Sequence, residues 1–260
     1  MFFPTSGTAY DLRFSLFGIP VTVSPFFWVM AGLLGFPWLK VEPGGPANLV
    51  AWMLCVFVSI LIHEFGHAFT MQAFGHRPEV VLHHFGGYAT YGGRAQTTPW
   101  KSLLISVAGP GVQLVLFGIV VWIGYLLTRE SVDWGRINLW GSLFSLDEVV
   151  PAAMVHAEVF ELGTPLFAIV ASLLRINLLW ALLNMLPVLP LDGGRMLWAL
   201  LAMAGVRNSS DWTLRISVVA GVAAAVGCLL MLGSFLAGMM FAFMAMQNYQ
   251  TLKGQQFGVS

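Results

Sequence analysis

Charge is what this sequence has least of. Lys, Arg, Asp and Glu make up 9% of its 260 residues, where an ordinary soluble domain carries about 25%. The 12 basic and 12 acidic residues cancel and no basic cluster appears, so the electrostatic footprint of a nucleic-acid binder is missing and that class is excluded. Cysteine is nearly absent too. Cys55 and Cys228 both lie in apolar runs and read as small packing residues rather than a disulfide or a thiolate site, which leaves the redox compartment unspecified. Arg13 is the one early basic residue, and no small-residue cleavage site follows the first apolar run. A removable signal peptide is therefore not expected, and the first apolar segment should stay in the mature protein. There is no internal repeat and no low-complexity tract.

What is abundant is apolar surface: 58% of residues are hydrophobic, and nothing ionises between Arg13 and Lys40, between Lys101 and Arg129, or between Arg215 and Lys253. About 20 apolar residues cross a bilayer, so the chain must span one several times. The pattern predicts spans at 22–39, 47–74, 101–128 and 165–187, a short apolar helix at 194–205, and a last apolar stretch at 214–250. As one helix, that stretch would run about 55 Å, well beyond a hydrocarbon core of about 30 Å, so it should fold back near Gly233-Ser234. The expectation is an all-α polytopic membrane protein of about six transmembrane helices in a single membrane-embedded domain, 1–260. With the N-terminus inside, Arg13, Arg77, Arg94, Lys101, Arg195, Arg207, Arg215 and Lys253 are cytoplasmic, and only Lys40, Arg129 and Arg136 fall outside, as the positive-inside rule asks. The 129–164 loop, with Glu130, Asp133, Asp147, Glu148, Glu158 and Glu161, forms an acidic outer segment.

Two segments depart from helical patterning. Phe14 to Ser24 alternate loosely, as an interfacial strand would. Residues 80–95 carry the glycine pairs Gly86-Gly87 and Gly92-Gly93 among β-branched and aromatic neighbours, the signature of a hairpin between the second and third spans. Non-helical backbone at membrane depth is tolerated only where protein or a water-filled cavity covers it, so this hairpin should be re-entrant and line something.

His63-Glu64-Phe65-Gly66-His67 fits H-E-x-x-H. Histidines at i and i+4 share one helical face and can reach a single zinc ion, with Glu64 beside the vacant coordination position. The three ionisable side chains follow twenty uncharged residues, 43–62, and a charge at the bilayer centre costs about 2.5–3.5 kcal/mol on insertion scales. Such residues have to be accounted for by a site. A catalytic zinc takes three protein ligands and leaves a position open. The soluble pattern H-E-x-x-H-x-x-G-x-x-H fails here, because Thr70 and Ala73 stand where its glycine and last histidine belong. His76, His83, His84, His156 and Glu79 are open as the third ligand. Asp192 is the better candidate: it follows Asn184-Met-Leu-Pro187-Val-Leu-Pro190-Leu at the cytoplasmic end of the fourth span, where two prolines and Gly193-Gly194 should unwind a helix and free a carboxylate to swing toward its neighbour.

With these residues in place, the chain resembles the site-2 protease family of polytopic membrane zinc metalloproteases, in its minimal form without PDZ or CBS domains. Three elements carry the resemblance: His63-Glu64-Phe65-Gly66-His67, Ala108-Gly109-Pro110 at the start of the third span, and Asn184-x-x-Pro187-x-x-Pro190-x-Asp192-Gly193. It implies Zn2+ on His63, His67 and Asp192, Glu64 as the catalytic residue and Asn184 as a substrate contact. It also likens 80–95 to the family's re-entrant β segment, so Gly86 and Gly87 become candidate substrate-binding positions, where an extended peptide could add as a strand. Gln113 stands where relatives commonly place Asn, keeping the amide but lengthening it. The expected partners are the lipid bilayer and a single-span or other membrane-protein substrate. The expected location is a prokaryotic cell membrane, with both termini and the active site toward the cytoplasm.

The competing class is a non-proteolytic membrane zinc protein, a pseudoprotease or a metal transporter. A transporter should distribute polar residues along a route through the bilayer, whereas this chain concentrates them at one depth; a pseudoprotease should have lost Glu64 or a ligand. Arg175 within the fourth span reads as a structural hydrogen-bonding residue, and the 13 methionines and 10 tryptophans as lipid-facing packing and interface anchors.

Overall fold

A computed structural model describes residues 9–83, 86–91, 98–128, 165–230 and 233–257. The acidic segment expected at 129–164, with His156, and His84 of the hairpin lie outside the described residues. The described chain is mostly helical with one small sheet. Its strands are β1 (Leu12–Leu16), β2 (Ile19–Val23), β3 (Pro78–His83) and β4 (Gly86–Tyr91). Its α-helices are α1 (Pro25–Leu34), α2 (Gly45–Ala73), α3 (Pro99–Thr128), α4 (Pro165–Asn184), α5 (Asp192–Met203), α6 (Ser209–Leu230) and α7 (Phe235–Phe257), with a 3-10 helix at Phe36–Lys40. The chain divides into two compact units, Met1–Gly93 with Gly111–Ala181 and Arg94–Pro110 with Leu182–Ser260.

In the first unit the sheet runs in the order β1-β2-β3-β4. β1 and β2 form a hairpin with Phe17 and Gly18 at its tip, both at positive φ, the backbone a two-residue hairpin turn needs. β2 then pairs in parallel with β3, Val21 opposite Val80, and β3 returns antiparallel into β4, Leu82 opposite Gly87. Alternation places Ile19, Val21 and Val23 of β2, and Val80 and Leu82 of β3, on a face buried almost completely. α2 packs on β3 and β4. Its buried positions include Ala51, Cys55, Ser59, His63, His67 and Met71, a ridge at four-residue spacing of the kind by which helices pack. At its C-terminus Gly75 adopts φ +83, and His76 N–H donates to the Met71 carbonyl at 3.1 Å. That is a Schellman cap, which turns the chain out of the helix and into β3.

The predicted first span, 22–39, is corrected: it is not one helix. Its start belongs to β2, α1 is ten residues long, and the chain breaks at Gly35 before the 3-10 turn. Packing requires a glycine at that point, since a Cβ on Gly35 would collide with the Trp52 indole, whose N–H donates to the Ala31 carbonyl at 3.0 Å.

In the second unit α6 and α7 lie antiparallel, joined through Gly233 at φ +59 next to Ser234, where the sequence predicts the fold-back. The seam uses small residues: a Cβ on Gly221 would lie 3.0 Å from Ala245, and one on Gly238 2.7 Å from Leu229. Close backbone approach of this kind is how helices associate where lipid removes the hydrophobic drive.

Among the described residues three helices are long and apolar enough to cross a membrane: Gly45–Ala73, Pro99–Leu126 and Ser209–Leu230. α3 and α6 expose Val107, Val115, Ile119, Trp122, Ile123, Val219, Val222, Val226 and Leu230, far more apolar surface than water tolerates on a monomer. The chain is an integral membrane protein.

Candidate metal centre

His63 and His67 project from the same face of α2, at 2% and 4% exposure. Their rings meet edge to face, centroids 4.7 Å apart, with the two Nε2 atoms 3.1 Å from one another. Nδ1 of His63 lies 2.9 Å from Oε1 of Gln113 on α3. The amide is oriented in turn, because its Nε2 donates to the Ser59 carbonyl at 3.3 Å and so leaves the oxygen for the imidazole. A carbonyl oxygen only accepts, which fixes the His63 proton on Nδ1 and turns the Nε2 lone pair toward His67. Two imidazole nitrogens bound to one tetrahedral zinc at about 2.0–2.1 Å would lie roughly 3.3 Å apart. The observed spacing fits that ion.

Removing Gln113's support tests its part in this arrangement. Gln113→Leu is expected to weaken divalent-metal binding by about 10–100-fold, the usual effect of losing a ligand's outer hydrogen bond, while helix content stays as in the wild type. A competition titration against a chelator measures this, and an unchanged affinity would remove Gln113 from the site.

Glu64 is buried at 3% exposure and its carboxylate sits against β4. A Cβ on Gly87 would come within 2.7 Å of both Cγ and Oε1 of Glu64 and of Cδ2 of Leu82. Gly86, at φ +116, faces Trp180 in the same way, at 2.7 Å. Each glycine therefore leaves the volume that a neighbouring side chain occupies. His83, on β3, packs its ring 5.4 Å from Tyr88.

In the second unit, Asn184 ends α4 at 8% exposure, and the chain passes through a tight turn into α5, whose first residue is the buried Asp192. The expected unwinding at Gly193-Gly194 is corrected: the non-helical residues are 185–191, and both glycines sit in the first turn of α5. Close approach explains them. A Cβ on Gly193 would collide with the Met185 and Leu186 carbonyls, and one on Gly194 would lie 2.6 Å from the Leu189 nitrogen. Asp192 is thus a buried carboxylate of the kind that can hold a metal ion, as the buried imidazoles of His63 and His67 are in the first unit. Among the described residues no candidate metal-binding group includes His76, Glu79 or His83.

Gln113 and Ser59 are the residues whose part the sequence left unread. Ser59 stands one helical turn before His63 on a membrane-length apolar helix, and that spacing was the available signal.

The chain belongs to peptidase family M50, whose family model matches residues 51–228. It is 31% identical over 193 residues to the protein named "Putative zinc metalloprotease sll0528" of Synechocystis, an alignment covering 70% of this chain and 42% of that one. It is 31% identical over 183 residues to Rip3 of Mycobacterium tuberculosis, which carries the same descriptor, covering 68% and 37%. The chain thus spans less than half the length of these two relatives. Its fold is similar to that of a site-2 protease from Methanocaldococcus jannaschii, with a TM-score of 0.55, 21% identity, and coverage of 92% of this chain and 95% of the other.

Proposed function

We propose that this chain is an intramembrane zinc metalloendopeptidase that hydrolyses peptide bonds within or near transmembrane segments of membrane-protein substrates. The observation that carries this reading is the His63–His67 pair, its nitrogens 3.1 Å apart and its orientation set by Gln113, on a membrane-length helix that also buries Glu64. The relatives' names support zinc as the ion. His63, His67 and Asp192 would hold it. When bound, zinc supplies a Lewis acid that polarises the scissile carbonyl and makes water a nucleophile near neutral pH. Glu64 takes the proton from the attacking water as the new C–O bond forms, and gives it to the amide nitrogen as the C–N bond breaks.

Asn184 would hold the substrate backbone. A transmembrane helix conceals its own amides, so a substrate must be extended before attack. β4 ends the sheet order, and its outer edge, beside Glu64, suits an added peptide strand. In this reading the 80–95 hairpin is re-entrant, the chain acts as one membrane-embedded domain of six spans, and both termini and the centre face the cytoplasm of a prokaryotic cell. The excess of Lys and Arg in the loops on that side supports the orientation.

The test is cleavage of a tagged single-span substrate by purified protein before chelation, after it, and after zinc is returned. Loss and recovery are expected; turnover untouched by complete zinc removal would overturn the reading.

A further inference from the structure

Three residues before Asp192, the backbone of Leu189 is held from both sides. Its N–H donates to Oγ of Ser217 on α6 at 3.1 Å. Its carbonyl accepts from Nδ2 of Asn248 on α7 at 2.7 Å, and that nitrogen also donates to the Met244 carbonyl at 2.9 Å. Ser217 and Asn248 are 0% and 1% exposed. Most other buried positions of their helices are apolar or small, Leu214, Gly221 and Ala225 on α6 and Phe241 and Ala245 on α7, while the buried Thr213 of α6 satisfies its hydroxyl within its own helix by donating to the Ser209 carbonyl at 2.8 Å. A polar side chain among such neighbours is costly unless it is satisfied, and these two are satisfied by one peptide group in a neighbouring segment.

That segment ends in the candidate ligand. Leu189 lies between Val188, whose carbonyl accepts from Leu191 N–H at 2.9 Å, and Leu191, whose carbonyl accepts from Gly194 N–H at 3.1 Å. Leu191 is the cap residue of α5 and Asp192 its first residue. The turn has no helical or strand partner for the two backbone groups of Leu189, so Ser217 and Asn248 set where it lies, and with it where α5 begins.

We propose that Ser217 and Asn248 are positioning residues for Asp192, and that α6 and α7 hold the carboxylate ligand in place through the Leu189 peptide. This rests on the reading of Asp192 as a metal ligand. It gives the α6–α7 pair a part in the metal centre, although neither residue touches the ion.

The test measures zinc affinity by chelator competition, together with the visible absorption of the Co2+-substituted protein, for wild type, Asp192→Asn, Ser217→Ala, Ser217→Thr and Asn248→Leu. Ser217→Ala and Asn248→Leu are expected to bind zinc about 10-fold more weakly, within the range seen for outer-shell partners, and to alter the Co2+ band. Ser217→Thr, which keeps the hydroxyl, should retain both properties. If Asn248→Leu fails to fold, the Ser217 pair decides the matter. Wild-type zinc affinity and Co2+ spectrum in Ser217→Ala, with zinc binding impaired in Asp192→Asn, would overturn the positioning role. Unimpaired zinc binding in Asp192→Asn would instead remove Asp192 as a ligand.

Discussion

Purified Glu64→Gln protein is expected to keep zinc at the wild-type stoichiometry and to cleave a single-span substrate about 10²–10⁴-fold more slowly, the range over which a positioned general acid–base contributes. Glutamine has nearly the shape of glutamate, so it fills the space beside Gly87 and Leu82 that the carboxylate occupies. It cannot take a proton from water at neutral pH. His63, His67 and Gln113 remain as they are, so metal content and activity separate. Metal analysis and initial cleavage rates on the same sample make the comparison. Equal rates for the two proteins, both loaded with zinc, would replace the protease reading with one of metal binding or transport.

Gly87→Val should give the second large loss, about 10²-fold in turnover, which a misplacement of about 1 Å at a reacting group is enough to cause. The atoms that a Cβ would meet at 2.7 Å are the outer part of the Glu64 side chain and Cδ2 of Leu82. Both can move. The fold can therefore accept the substitution by displacing Glu64, and catalysis suffers in place of stability. Gly86→Val fails for a different reason. At φ +116 a β-branched residue is strained, and the Trp180 ring occupies the space, so a lower unfolding temperature should accompany its loss of activity. Zinc content, kcat and thermal unfolding of the two variants separate these cases; wild-type kcat in Gly87→Val would show that Glu64 does not depend on the room Gly87 leaves.

The histidines and Glu64 were legible because four-residue spacing on a helix is a local rule, and because charges after twenty apolar residues need a reason. The break before Asp192 was legible from its prolines and glycines, but for a partly mistaken reason: Gly193 and Gly194 allow close approach to the carbonyls of the preceding turn and do not unwind the helix. The two strand signals were present separately. That β2 pairs in parallel with β3 joins segments separated by α1 and α2, and no local pattern encodes such a pairing. The first span was misread because apolarity from 22 to 39 conceals the break at Gly35, a position where the distant Trp52 leaves no room for a side chain. Gln113 was noticed only as a departure from a pattern; its contact with His63 depends on the packing of two helices fifty residues apart.

The choice of an amide at Gln113 bears on the charge of the whole centre. A carboxylate hydrogen-bonded to Nδ1 would also fix the His63 proton, and would make the imidazole a more basic, more tightly binding ligand. It would also bring a further full charge into a region walled by apolar helices, where an unpaired ion is far costlier than a dipole. Glutamine sets the tautomer with a dipole alone. The negative charge beside the two histidines on α2 is then left to Glu64, and in the proposed centre the electrophilic pull of the ion on a bound carbonyl would not be spent on neutralising a further carboxylate.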